Sequence, residues 1–181
     1  GSIDEPKYKH IEILDPHEKN FLLLTHKKDD EIFSVLPDSL KKAINDFIIV
    51  NVIRTLRGKE FKHRTMMINI SRFNAIQYKI YDKINDYIDL MKNTISQTYK
   101  SDFNNFIRDP YMNDLYEEYN DEFFSEIREE FTWDQIQEGL NNEIQQFIVT
   151  VVNNNNKKNR FNYDNYEKEG ARVIAIGGFI L

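Results

Sequence analysis

Met66-Met67-Ile68-Asn69-Ile70-Ser71-Arg72-Phe73 is the stretch that decides the fold. Its first five residues form a short, mostly apolar run, typical of a central strand in a parallel sheet. Ser71 stands where a helix N-cap belongs. After it Phe73, Ile76, Ile80, Ile84, Tyr87, Ile88, Met91 and Ile95 recur at steps of three and four, which predicts a long helix. Strand, Ser-Arg turn and long helix together open a βα unit.

Upstream, Leu36-Pro37-Asp38-Ser39 reads as a helix start, with proline near the first turn and acceptor side chains beside it. The predicted helix carries Leu40, Ala43, Ile44, Phe47, Ile48, Val52, Ile53 and Leu56, and Gly58 stops it. Its middle is apolar almost all round except for Asn51, so it is expected to be buried rather than amphipathic. Residues 3–34 are a lead-in in which Ile11-Glu12-Ile13 and Phe21-Leu22-Leu23-Leu24 could each be an edge strand or lie in a loop. Gly1-Ser2 reads as the scar of tag removal.

Downstream, about 97–146 reads as a helical acidic insertion. Leu115, Tyr119, Phe123, Ile127 and Phe131 recur every four residues. Between Asn113 and Glu138 stand ten acidic residues and one basic one, Arg128. That segment carries −9 of a chain whose formal charge is −6, so the acidity is local. Phe147 to Val152 and Arg172 to Ile176 are two further apolar strand candidates. About three such strands separated by helices predict an α/β layer with a parallel sheet. The last nine residues, from Val173, are apolar or glycine to Leu181, unlike an ordinary polar terminus. This pattern predicts a strand truncated at its loop within a longer protein.

The 181 residues give room for one core, and 40% hydrophobic content separates the chain from disordered sequences. No apolar run is long enough for a membrane-spanning helix, and no membrane partner is expected. With no cysteine, disulfides and cysteine–zinc clusters are excluded, which fits a reducing cytoplasm. No P-loop is present, because none of the six glycines lies in a GxxxxGK[ST] context. His10, His17, His26 and His63 lack a tight zinc-ligand spacing, and no metal site is expected. No GxSxG elbow occurs, and the one Glu-x-Lys, Glu5-Pro6-Lys7, contains a proline unsuited to a nuclease strand. No catalytic residue is assigned.

Arg54, Arg57, Lys59, Lys62 and Arg64 cluster around the predicted helix end. They either offset the helix dipole or form a patch for DNA phosphates. At the carboxyl ends of the strands, Ser71, Arg72, Asn153, Gly177 and Gly178 could converge on one crevice, where open α/β sheets gather ligands. The plainer alternatives are an N-cap at Ser71 and a positive-φ turn at Gly177-Gly178. The acidic region is a solvated helical face or a protein-docking surface, and Tyr119, Phe123 and Phe131 read as core rather than a base-stacking platform.

LPDSLKKAINDFIIVNVIRTLRG at 36–58 and HRTMMINISRF at 63–73, with IVTVVNNN at 148–155 and RVIAIGG at 172–178, resemble the Z1 domain. The resemblance covers about 36–181, so residues 35–181 are expected to form one Z1-like unit. Z1 domains occur in large bacterial proteins described as endonucleases, beside a superfamily-two helicase-type ATPase and often in restriction-like defence systems. The resemblance implies a partial RecA-like layer, similar to a helicase second lobe, and ATP and magnesium for the full-length protein but none bound by this fragment. It places Ser71, Arg72, Gly177 and Gly178 toward the motor cleft and matches Arg54 and Arg57 to helix-end arginines. In the family the glycine pair is followed by a polar residue and then Leu-Ser-Arg-Gly-Leu-Thr. Here Phe179 takes the polar position and the chain stops at Leu181.

The expected function is a non-catalytic, motor-lobe-like part of an ATP-dependent DNA-processing protein, partnered by DNA and by the ATPase lobe of its own polypeptide. The alternative is an interaction scaffold that docks a protein partner through the acidic 113–138 region.

Overall fold

In the computed structural model, the description covers residues 27, 29–32, 35–69, 71–152 and 161–178. The lead-in runs around Ile11 and Phe21–Leu24, the Glu5-Pro6-Lys7 triplet, Asn153 and the final three residues lie outside it.

Helix α1 (Asp38–Leu56) begins after Pro37 and buries Ile44, Ile48, Ile49, Val52 and Ile53. Its two buried asparagines are both bonded, as buried amides must be. Asn45 Oδ1 accepts from Tyr87 Oη at 3.1 Å, and Asn51 Nδ2 donates to the Phe47 carbonyl. Gly58, at φ +69°, reverses the chain just past the helix end. Strand β1 (Arg64–Asn69) leads into helix α2 (Asn74–Thr98), whose isoleucine stripe lies in the core as the spacing predicts.

Next come α3 (Phe103–Phe106), α4 (Pro110–Glu118), a π-helical turn over Tyr119–Phe123, α5 (Phe124–Ile127) and α6 (Trp133–Gln145). Local chemistry sets their starts. Asp109 caps α4 ahead of Pro110, and Thr132 and Gln135 form a reciprocal capping box on α6. The acidic segment packs inward with its apolar side. Leu115, Tyr119, Ile127, Ile136, Leu140 and Ile144 join the same core as α1 and α2. Gly139 permits this closeness, since a Cβ there would lie 2.7 Å from Val52 Cγ1.

Strands β2 (Phe147–Val152) and β3 (Arg172–Gly177) complete an all-parallel sheet in the order β1-β3-β2. Arg64 and Phe147 flank Arg172 at one end of the register, and Asn69 and Val152 flank Gly177 at the other. The architecture is therefore α/β, as predicted. One expectation is corrected: the 66–70 run does not form the central strand. All six residues of β3 are buried, whereas β1 alternates and leaves Met67 52% exposed. Methionine on an open face looks as apolar in sequence as one in the core, so the period of two was hidden.

Helices cover the face carrying Met66, Ile68, Ile174 and Ile176. On the opposite face Phe161, Tyr163 and Tyr166 pack against Ala171, Val173 and Ala175. His63 belongs to this second layer. Its ring meets Tyr163 edge-on, and its Nδ1 accepts from the Ala171 amide at 3.0 Å.

Candidate functional site

The two ends of the sheet hold the two groups of candidate residues, and they differ in kind. At the amino end, Arg64 is buried rather than presented to solvent. Its Nη1 donates to the Asn51 carbonyl at 2.7 Å and to Glu143 Oε2 at 3.1 Å. Its Nη2 donates to Thr55 Oγ1 at 2.9 Å and to the Lys59 carbonyl at 2.7 Å. Arg64 is therefore withdrawn from the set of DNA-phosphate contacts. Its guanidinium ties β1 to the end of α1 and to α6. Burial lowers its pKa from the ordinary value, and the charges of Arg172 and Arg54 act in the same direction. Glu143 and Glu60 oppose them, and an arginine stays charged through such shifts.

Arg172, the first residue of β3, completes this network. Its Nε donates to Glu143 Oε2 at 3.0 Å and its Nη1 to the Glu169 carbonyl at 2.6 Å. Thr55 Oγ1 donates to Glu143 Oε1 at 2.6 Å, so that carboxylate is ringed by donors. Arg57 is exposed but committed to a two-pronged bond with Glu130, at 2.8 and 2.6 Å. The hydrogen bond to Glu130 raises the Arg57 pKa and holds the Glu130 carboxyl below its usual range. Of the five cations, Lys59 and Lys62 stand exposed and Arg54 is half-buried.

At the carboxyl end Ser71, Arg72, Gly177 and Gly178 come close together, while Asn153 lies outside the described residues. A Cβ on Gly178 would lie 2.8 Å from the Ser71 carbonyl and 3.4 Å from Arg72 Cα, so β3 ends directly against the Ser71-Arg72 turn. A Cβ on Gly177 would stand 3.1 Å from Asn69 Oδ1. The glycines serve close approach, not reversal: the positive-φ glycines among the described residues are Gly58 and Gly170. The N-cap expectation for Ser71 is also corrected. The N-cap of α2 is Phe73, and Ser71 Oγ accepts from the Phe73 amide at 3.0 Å one step earlier.

The N-cap residue Phe73 gives no side-chain hydrogen bond to the first turn of α2, and no acidic residue stands in that turn. That helix start lies at the carboxyl end of the sheet, and helix amide dipoles at such an end favour an anion. Arg72 is exposed beside it, its guanidinium 4.8 Å from the Phe73 ring centroid. Beneath the turn Gln77 is buried, with Nε2 donating to the Ser71 carbonyl at 2.8 Å. Gln77, Glu143 and Arg172 were not singled out from sequence, and Asn51 was marked only as the polar exception in the first helix. Asn51 was visible as a polar residue inside an apolar run, whereas Glu143, among Asn141, Asn142, Gln145 and Gln146, gave no such signal.

Among the described residues no three carboxylate or imidazole groups converge to hold a metal ion. No described helix is long and apolar enough to cross a membrane.

No curated protein and no solved structure matches the chain. The model of the Z1 domain matches residues 39–181, from the first turn of α1 to three residues past the glycine pair. The chain therefore belongs to the Z1 domain family.

Proposed function

We propose that this Z1 domain is a non-catalytic, RecA-like motor lobe of a bacterial ATP-dependent DNA-processing protein, of the kind that also carries a helicase-type ATPase and an endonuclease label. In this reading it holds the phosphate backbone at the carboxyl end of its sheet, while another lobe of the same polypeptide supplies nucleotide and magnesium. The observation that carries it is the meeting of Ser71, Arg72 and Gly178 at an acid-free helix start beside an exposed arginine. Backbone contacts of this sort position a protein on DNA without reading its sequence.

Fluorescence anisotropy with single-stranded, duplex and forked DNA at two salt concentrations tests the reading. Saturable, salt-sensitive binding is expected, weakened at least severalfold by Arg72→Ala and little changed by Arg57→Ala. Flat titrations at low salt, or binding indifferent to Arg72, overturn it.

A second reading is favoured by the exposure of Asp121, Glu122, Glu126, Glu129, Asp134 and Glu138 on the outer side of the helical segment. The domain would then be a scaffold that docks a basic partner subunit through this face. Because the segment also supplies core residues, surface substitutions are the cleaner probe. Glu126→Gln with Glu129→Gln should weaken capture of such a subunit and leave the thermal midpoint in place. Capture that is unchanged counts against docking at this face.

A further inference from the structure

Phe61 is the most exposed aromatic residue among those described, at 61%. It stands in the turn between α1 and β1, with exposed Lys59 and Lys62 to either side of it in the chain. Its ring meets no other ring among the described residues. Single exposed apolar side chains are ordinary on a surface, and what sets this one apart is the stiffness of the turn that carries it.

The Lys59 amide donates to the Arg54 carbonyl at 2.9 Å, and the Lys62 amide donates to the Lys59 carbonyl at 3.2 Å. That same Lys59 carbonyl accepts from Nη2 of the buried Arg64 at 2.7 Å. Gly170 closes on the turn from the other strand, since a Cβ there would stand 2.7 Å from the Glu60 carbonyl oxygen and 2.9 Å from that of Lys62. His63 fastens the end of the turn by accepting from the Ala171 amide. The backbone is therefore held before any ligand arrives, which lowers the ordering cost of binding. Lys59 and Lys62 form no ion pair among the described residues, whereas Arg57 beside them is taken by Glu130.

We propose that this turn docks single-stranded nucleic acid, with an unpaired base stacked on Phe61 and the neighbouring phosphates met by Lys59 and Lys62. A ring face accepts any base, and lysines meet phosphates without reading sequence, so the contact selects for single strands rather than for a sequence. It is additional to the Arg72 path. The turn precedes β1 and Arg72 follows it, so the two contacts stand roughly 20 Å apart across a six-residue strand.

Anisotropy titrations of the whole chain with a labelled oligothymidylate, and with an abasic strand of equal length and charge, test the proposal. The base-bearing strand should bind more tightly. Phe61→Ala should cut its affinity about five- to tenfold and leave the abasic strand unchanged. Phe61→Trp should keep the preference. Lys59→Gln with Lys62→Gln should weaken both strands alike and flatten the salt dependence. Equal affinity of the unaltered chain for the two strands, or a preference that survives Phe61→Ala, overturns the proposal. So does Phe61-dependent capture by phosphatidylserine vesicles without a Phe61 effect on oligonucleotides, which assigns the turn to a membrane surface. A base preference that persists in Arg72→Ala upholds this contact even where the Arg72 path fails. Binding lost in Arg72→Ala and unaltered in Phe61→Ala upholds that path and overturns this one.

Discussion

Arg172 Nε donates to Glu143 Oε2 at 3.0 Å, and both side chains are 1% exposed. This bond joins the first residue of the central strand to the last turn of α6, with Arg64 on the same oxygen from the neighbouring strand. The helical layer is thereby fixed to the amino edge of the sheet. Buried ion pairs of this sort are weak stabilisers when intact and expensive when half removed.

Glu143→Ala leaves two buried guanidiniums without their shared carboxylate. The expected loss is about 3–5 kcal/mol, a large part of a typical domain's stability. Urea unfolding followed by circular dichroism measures it. A loss below about 1 kcal/mol would mean that water replaces the carboxylate and that the network is not sealed.

Gly58 and Gly170 share a left-handed backbone but not their surroundings. At Gly58 a Cβ would meet nothing within 4 Å, so Gly58→Ala should cost roughly 1–2 kcal/mol from conformation alone. At Gly170 a Cβ would come within 2.7 Å of the Glu60 carbonyl oxygen and 2.8 Å of the Phe61 carbonyl carbon. Gly170→Ala should therefore lose about 1–3 kcal/mol more, because backbone atoms cannot swing aside. Parallel denaturation curves for the two variants give the comparison, and equal losses would refute the close approach.

The Arg57–Glu130 pair carries a pH signature. Its hydrogen bond depresses the folded-state pKa of Glu130, so the folded protein binds that proton less readily than the unfolded chain. The stabilisation is present above the ordinary carboxylate pKa and is lost as pH falls through the depressed value. Being solvent-exposed, it is small and salt-sensitive. Carbon-detected titration of the Glu130 carboxyl should show a low midpoint in the native chain, and Arg57→Ala should return it to the ordinary range. A midpoint unmoved by Arg57→Ala would show that the pair does not persist in solution.

Gly178→Ala probes the carboxyl end. The added methyl would stand 2.7 Å from Gln77 Nε2 and 2.8 Å from the Ser71 carbonyl, pushing β3 away from the Ser71-Arg72 turn. A stability loss of about 1–3 kcal/mol is expected, together with weaker DNA binding than the lost stability explains. Unfolding and anisotropy on the same preparation separate the two effects. Full DNA affinity in a folded Gly178→Ala variant would place the phosphate path away from this turn.

Much of the architecture was legible in order along the chain. The 3–4 stride from Ile76 to Ile95, the all-round apolar middle of α1 with Gly58 after it, and the run Phe147–Val152 each appear at their predicted places. These are local signals: the period of burial, the caps and the breakers act within one or two turns of the residues that encode them. Family membership was also readable, because ordered blocks of sequence carry it directly.

The candidate site was less legible. Five cations in eleven residues read as one patch, yet Arg64 is buried against Glu143, 79 residues away in sequence, and Arg57 is held by Glu130. Whether a cation faces solvent or a carboxylate depends on which helix crosses it, and spacing along the chain holds no record of that. The placement of β3 between β1 and β2 was equally hidden, since strand order is set by crossovers that bury the most apolar strand on both faces. Sequence by itself determined the elements, their order and the family. Only the tertiary structure decided which strand is central, which arginines are spent in pairs, and that Gly178 meets the Ser71-Arg72 turn, because each depends on contacts between residues distant in the chain.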